Sequence, residues 1–365
     1  MRTLLLTIYI AFLSWGAHAQ SPPKYSNEFL TIGPGARGHG LSGAMVASVN
    51  DLTAAYWNPA GLTGLHGEEE TVPFQVSAMH AEWFAGIANY DYLAFAKSLN
   101  EEQQSTFAIS LIRFGVDQIP NTINLVSPDG TINYDNVTEF SAADYAFMLS
   151  YGQRLKNPDW RIGATTKIIR RIVGTFGGAW GFGLDLGLQY QKGNWRLGIM
   201  GRDITTTYNA WQFNLSDEEK KVFSQTNNVI PVSSVEVTLP RLVIGGAFAK
   251  SFNDQYALLI AADFDVTVDG PRNVLVQNDL ISIDPRLGLE LSYNNFLFLR
   301  TGIGNFQSAT DDIDGSTEIT SFQPNFGIGL RLGRVTIDYA LTDIGDASQV
   351  LYSNIVSARI DFRER

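Results

Sequence analysis

The chain contains no cysteine. That excludes a disulfide framework, a thiolate metal centre and an amino-terminal lipid-modified cysteine. Charge is sparse and acidic: 17% of the 365 residues are Asp, Glu, Lys or Arg, with a net charge of −11. No basic cluster stands out, so nucleic acid is excluded as a partner. His39, His66 and His80 lie far apart, without His-x₃-His or His-Glu spacing, which argues against a zinc site. No G-x-S-x-G elbow is present, and nothing in the sequence supports a catalytic Ser–His pair or a cofactor. The reading is of a non-enzyme. Beyond the leader, no run reaches the roughly 18 apolar residues that a membrane helix needs.

What is present is glycine (34 residues) and aromatic side chains (12%), a composition that argues against disorder. Arg2 precedes an apolar run from Leu4 to Leu13, and Ala17-His18-Ala19 matches a small-x-small cleavage pattern. Residues 1–19 therefore read as a secretory signal peptide. An exported chain without a helical span can still cross a membrane as a closed barrel.

Residues 180–190 read W-G-F-G-L-D-L-G-L-Q-Y. Trp180, Phe182, Leu184, Leu186, Leu188 and Tyr190 fall on one strand face; Gly181, Gly183, Asp185, Gly187 and Gln189 fall on the other. The pattern recurs in about fourteen segments. Their spans are 71–80, 88–98, 104–115, 141–153, 159–173, 179–192, 194–203, 238–250, 255–267, 284–293, 296–305, 323–332, 334–344 and 351–362. Alternate connections are tight, such as Gly333-Arg334 and Asn294-Asn295, while the interleaved ones are usually longer. Outer-membrane barrels have that asymmetry, with short periplasmic turns and long outer loops. The expected fold is all-β: a transmembrane antiparallel barrel of about 14 strands over residues 71–365, in the cell outer membrane among its lipids.

The inferred inner face carries Arg161, Lys167, Asp185, Arg196, Asp263, Arg286, Glu290, Arg300, Arg331, Asp338, Arg359 and Asp361. Charges are costly in lipid, so their phase marks the lumen. They read either as a satisfied network or as a polar transport path. Glycines on the same face make room for such pairs, or for a plug. Residues 20–70 break the strand pattern and read as a plug in the barrel mouth or a periplasmic cap. Ser42 to Tyr56 suggests one or two short helices, which Asn58-Pro59 and Gly61 would stop. Gly33-Pro34-Gly35-Ala36-Arg37-Gly38 matches G-x-G-x-x-G but lacks the βαβ context that a dinucleotide needs, which leaves a flexible turn.

Two long connections, bounded by Val116 and Phe140 and by Ile204 and Val237, either bind a partner or cover the mouth. In the second, Ser216 and Glu219 resemble a capping box. The acidic runs at 68–70 and 311–314 read as solvated loop charge or as cation-bridged contacts to anionic lipid.

The segment Gly35-Ala36-Arg37 … Leu41-Ser42-Gly43-Ala44 … Asn50-Asp51 … Ala54-Ala55-Tyr56-Trp57-Asn58-Pro59-Ala60-Gly61-Leu62 resembles the amino-terminal signature of the PorV/PorQ family, a branch of the FadL-like outer-membrane barrels. Phe362 resembles the terminal aromatic of barrel assembly signals, although Arg363-Glu364-Arg365 follow it. The resemblance implies a fourteen-stranded barrel and a part in type IX protein secretion. Its partners would be the translocon barrel, secreted substrates or surface-attachment proteins. Trp57, Asn58, Pro59, Ala60 and Gly61 would be structural residues of the amino-terminal segment. The alternative is a FadL-like transporter of hydrophobic small molecules.

Overall fold

The computed structural model describes residues 26–66, 71–100, 102–127, 130–310, 318–342 and 353–362. The leader 1–19, the acidic runs at 68–70 and 311–314, and residues 363–365 lie outside the described residues. The strands are β1 (Phe74–Trp83), β2 (Ala88–Asn100), β3 (Ser105–Asn121), β4 (Thr138–Arg154), β5 (Trp160–Val173), β6 (Gly177–Lys192), β7 (Trp195–Arg202), β8 (Thr207–Phe213), β9 (Ser234–Thr238), β10 (Arg241–Ser251), β11 (Tyr256–Thr267), β12 (Val276–Gln277), β13 (Ser282–Tyr293), β14 (Leu297–Thr310), β15 (Glu318–Leu332), β16 (Val335–Thr342) and β17 (Ser353–Phe362). Apart from β8, β9 and β12, they form a ring of fourteen antiparallel neighbours. β7 pairs with β10, β11 with β13, and β17 returns to β1, from Phe74 opposite Phe362 to Glu82 opposite Asn354. Closure satisfies every wall strand on both sides, which a lipid environment demands.

The period-2 pattern sets which face is outside. On β6, Trp180 (58%), Phe182 (53%) and Leu186 (48%) are exposed, while Ala179, Asp185 and Gln189 are buried. At the tight-turn end, rings on the outer face meet across strands: Trp160 with Tyr190 at 4.8 Å, Trp195 with Phe248 at 4.9 Å, and Tyr256 with Tyr293 at 5.1 Å. These pairs form the girdle expected where lipid gives way to water.

Both long connections differ from their expected bounds. β3 runs on to Asn121 and β4 begins at Thr138, so the first is shorter than the 116–140 stretch suggests: only 122–137 lie between strands. The wall here rises above the apolar band. Its hydrogen bonding continues past a register shift between Val116 and Ile119, while its hydrophobic alternation stops. The second is a built structure. β8 takes over pairing with the upper part of β6, β9 pairs with β8, and a helix at Asp217–Gln225 joins them. Its N-cap is Ser216, in a capping box with Glu219. β8 is short, seven residues, and its alternation alone does not distinguish it from loop. The outer connections between β1 and β2 and between β5 and β6 are themselves tight, so the length asymmetry is not strict.

Residues 26–66 lie inside the wall. They form 3₁₀ turns at Glu28–Thr31 and Pro59–Leu65 and single helical turns at Ala36–Gly40 and Ala54–Trp57. The expected helices between Ser42 and Tyr56 reduce to the last of these, because the stretch is spent bonding to the wall. The segment spans the lumen end to end. Ser26 and Asn27 bond Glu236 and Thr238 at the loop end, and His66 bonds the Ser105 carbonyl at the tight-turn end. Leu41, Met45, Leu52 and Leu62 are fully buried within it. Two small faces meet where Gly40 approaches Gly327.

Candidate functional site

The Trp57-Asn58-Pro59-Ala60-Gly61 run is the joint of the inner segment. The Trp57 indole lies on three glycines. A Cβ at Gly33 would fall 2.6 Å from its Cη2, one at Gly38 2.9 Å from its Cζ2, and one at Gly43 3.3 Å from its Cη2. Trp57 Nε1 donates to the Pro34 carbonyl at 2.9 Å. The glycine-rich stretch is therefore a packed bed for one indole rather than the flexible turn its composition suggested. Asn58 is fully buried. Its Nδ2 donates to the Val46 carbonyl at 2.8 Å and the wall carbonyl of Leu188 at 3.2 Å, and its Oδ1 accepts from Ala60 N at 3.2 Å. Pro59 opens the next turn at a position where a missing N–H costs nothing. Ala60 is buried, and Gly61 leaves space against Val49.

The inner-face charges divide into a central cluster and outliers. Arg300 holds Glu290 and Asp338, each at 2.6 Å. Arg37 of the inner segment joins Glu290 at 2.9 Å. Arg359 reaches Asp51 of the inner segment at 2.6 Å and Asp361 at 3.7 Å, and Asp361 accepts from Gln75 at 2.6 Å. Asp263 accepts two backbone N–H groups, of Met45 at 2.7 Å and Val46 at 2.8 Å. A second knot binds Lys167 to Asp185 at 2.7 Å and to Asp203 at 2.6 Å, under the start of the β7–β8 connection. Arg286 sits nearer the loop end, with Asp265 at 3.4 Å and Asp284 at 3.2 Å. Arg161, Arg196 and Arg331 lie at the tight-turn end, apart from the cluster. Arg161 donates to Gln191 and Arg331 to Asn295, each at 2.9 Å, and Arg196 faces Ala247 across the strands.

Sequence reasoning named only the wall side of this clamp. Arg37 and Asp51 are the only residues among Asp, Glu, Lys and Arg between positions 29 and 66. A lone cation and a lone anion in a small-residue stretch are a signal for partners elsewhere, and one that could have been read. Burial works against the Asp51 charge, but Arg359 and Arg37 outweigh it and hold its carboxyl below the usual range. Asp203 and Arg202 were also missed. The Arg202 guanidinium lies 4.2 Å from the Tyr56 ring centre.

Above the inner segment, at the loop end, lies a cavity of about 760 Å³. One side is apolar, from Phe29, Ile32, Trp57, Trp83, Phe84 and Phe114. The other carries Arg241, Asp265, Asp284 and Arg286, which pair among themselves.

His39 sits at the cavity floor. Its Nε2 lies 2.8 Å from the Gly33 carbonyl, to which it donates, and its ring is 5.7 Å from that of Trp83. Burial pushes its pKa down to about 4, against the pull of that hydrogen bond. The folded chain thus favours the neutral ring. The resulting stability is complete above the unfolded value near 6.5 and is lost as pH falls toward 4, by up to about 3 kcal/mol. Replacing His39 with Gln should flatten the unfolding free energy between pH 6.5 and 4. An identical pH slope in wild type and variant would refute the assignment.

No protein-family model matches the chain, and no curated protein matches it in sequence. Solved structures do match. The monoaromatic hydrocarbon channel CymD is 13% identical, with a TM-score of 0.55 over 91% of this chain and 98% of that one. The Pseudomonas putida toluene transporter TodX is 14% identical, with a TM-score of 0.53 over 90% and 98%. A Pseudomonas aeruginosa FadL homologue is 12% identical, with a TM-score of 0.51 over 89% and 98%. At such identities the likeness is one of fold, and it runs the length of the chain. The protein is an outer-membrane β-barrel of FadL-like architecture.

Proposed function

We propose that the chain admits small hydrophobic molecules across the outer membrane, with residues 26–66 as a hatch. The observation that carries this reading is the cavity at the loop end, about 760 Å³ and walled on one side by aromatic rings. That volume is within the range of small-molecule sites. The names of the similar channels agree with such a cargo. The paired charges on the opposite wall suit a compact solute better than a long chain. Below the cavity the lumen is filled, so passage requires the inner segment to shift and its ion pairs to open.

The test is uptake of radiolabelled toluene by intact cells with and without the protein. Phe114→Asp puts a charge among the rings and should reduce the protein-dependent uptake about fivefold or more. Equal uptake by cells lacking the protein would sink the transport reading.

A second reading, a component of type IX secretion of the PorV/PorQ kind, has its own support. The residues from Gly35 to Leu62 carry that resemblance, the ion pairs hold the lumen shut, and the β8–β9 structure with its helix at Asp217–Gln225 supplies an ordered loop-end element for a partner. Cutting 204–237 to a tight turn should abolish secretion and leave toluene uptake unchanged. Secretion that survives the cut would exclude this role for the loop. Affinity purification from gently solubilised outer membranes identifies any translocon barrel or attachment protein bound to it.

A further inference from the structure

The lipid-facing side of the wall carries an unexpected polar row. His80, Asp91, Arg113, Tyr145, Arg170 and Trp180 are successive cross-strand partners from β1 to β6. All belong to the outward phase of their strands. Most of the charge in the row is matched: His80 meets Asp91 at 2.7 Å, and Arg113 meets Asp91 at 3.3 Å and Asp117 at 3.2 Å. Just inside the wall, Arg171 meets Asp144 at 2.9 Å and Glu236 at 3.1 Å.

Arg170 differs. Its Nη1 donates to the Ala179 carbonyl at 3.2 Å and its guanidinium lies 5.1 Å from the Trp180 ring centre. Among the described residues it meets no carboxylate within salt-bridge reach. A cation on a lipid-facing wall is costly unless it sits at the interface and finds an anion. Arg170 is at that height. Ten residues separate it from Trp160 of the lower girdle. At ~3.3 Å per residue and a tilt of ~40°, that is about 25 Å, the height of the apolar band.

The site around it is hollow. Beside Arg170 and Trp180 is a recess of about 430 Å³, floored by Gly177 and Gly178 and edged by Gln212 and Asn214 of the β8 side. Gly178 has no room for a side chain, since a Cβ there would fall 2.7 Å from the backbone carbonyl oxygen of Arg171 and 2.7 Å from Arg170 Nη1. Directly below, Ile168 and Phe182 offer exposed apolar surface toward the membrane. A cation, amide side chains and a glycine floor stand over an apolar wall, at the outer edge of the bilayer.

We propose that this recess binds the phosphate headgroup of an anionic lipid in the outer leaflet. Arg170 takes the phosphate, Gln212 and Asn214 take polar headgroup atoms, and the acyl chains run down Ile168 and Phe182. The site is separate from the central cavity, and although Gln212 and Asn214 belong to the 204–237 connection, the lipid reading requires neither function proposed above.

The test is native mass spectrometry of the purified full-length barrel in detergent, with lipid A as the probe. Wild type should retain the lipid about tenfold more tightly than Arg170→Gln, as expected for loss of a charge-assisted phosphate contact. Arg170→Lys should recover part of that affinity. Arg113→Gln, an outward arginine already matched by carboxylates, should behave as wild type. Each barrel is scored after heat-modifiable migration establishes that it is folded. Equal retention by Arg170→Gln, or an equal loss in Arg113→Gln, would overturn the site. Displacement of the lipid by inorganic phosphate alone would reassign the recess to a soluble anion and overturn the lipid reading.

Discussion

Replacing Arg300 with Leu should lower the unfolding free energy by about 3–5 kcal/mol, the usual cost of removing one partner from a buried ion pair. The Arg300 side chain is only 3% exposed and bridges Glu290 and Asp338 at 2.6 Å each. Glu290 would keep Arg37 at 2.9 Å. Asp338 would lose the cation it pairs with, in a strand whose inner face is sealed by the segment above it. The leucine would gain some apolar burial, but not enough to offset a stranded carboxylate. The midpoint of a urea titration, followed by tryptophan fluorescence and heat-modifiable migration, reads the change. Adding Asp338→Asn to the variant should recover a large part of the loss, because the stranded charge is then gone. A loss below about 1 kcal/mol would mean that water reaches Asp338, and the lumen would not be sealed there.

The barrel was legible because lipid imposes a binary rule. A strand such as β6 must place Trp180, Phe182 and Leu186 outward and can hide Asp185 and Gln189 inward. That rule stops at the headgroups. Above them β3 continues to Asn121, and β8 buries Thr207, Asn209 and Trp211 on one face and exposes Ala210 and Gln212 on the other, so hydrogen bonding persists where the hydrophobic alternation fades. The wall charges were readable from their phase. Their partners were not, because Arg37 and Asp51 sit in a segment without periodicity and reach Glu290 and Arg359 across more than two hundred positions of sequence. Arg161 and Arg331 share the phase of Arg300 yet lie too near the turns to join it. Phase gives the face of a strand residue, while its height along the wall depends on register between strands.

The glycines of the inner face connect the two halves of the molecule. Gly152 and Gly163 are neighbours on β4 and β5, and both lie under Pro59. Ala55 lies beside them: its carbonyl accepts from Thr165 at 2.9 Å. A wall of larger residues would close into the same barrel, because the strand ladder does not need these positions. It would leave no bed for residues 54–65. The Trp-Asn-Pro-Ala-Gly run and the wall glycines are thus two sides of one fit, and changing either should release the inner segment without dissolving the barrel.

Gly163→Val is the sharpest case. A Cβ at position 163 would fall 2.5 Å from Ala60 N and 2.6 Å from Pro59 O, both backbone atoms that cannot swing aside. Either β5 bows outward or the Pro59–Leu65 turn lifts away. β5 is held by ladders to β4 and β6 along its whole length, so the turn should give way. Overpacking of this kind costs about 1–3 kcal/mol or more, enough to lower the docked fraction from nearly complete to a minority. Asn58 would lose its bond to the Leu188 carbonyl, and the bed beneath Trp57 would loosen in turn. The expected result is a barrel that still migrates as folded but is cut by protease between residues 54 and 66 from the tight-turn side. In planar bilayers it should conduct ions through a lumen that wild type keeps closed. Under the transport reading, toluene uptake should rise and no longer depend on the paired charges. A variant that stays closed to ions and resists cleavage would mean that the wall, rather than the inner segment, yields at this contact.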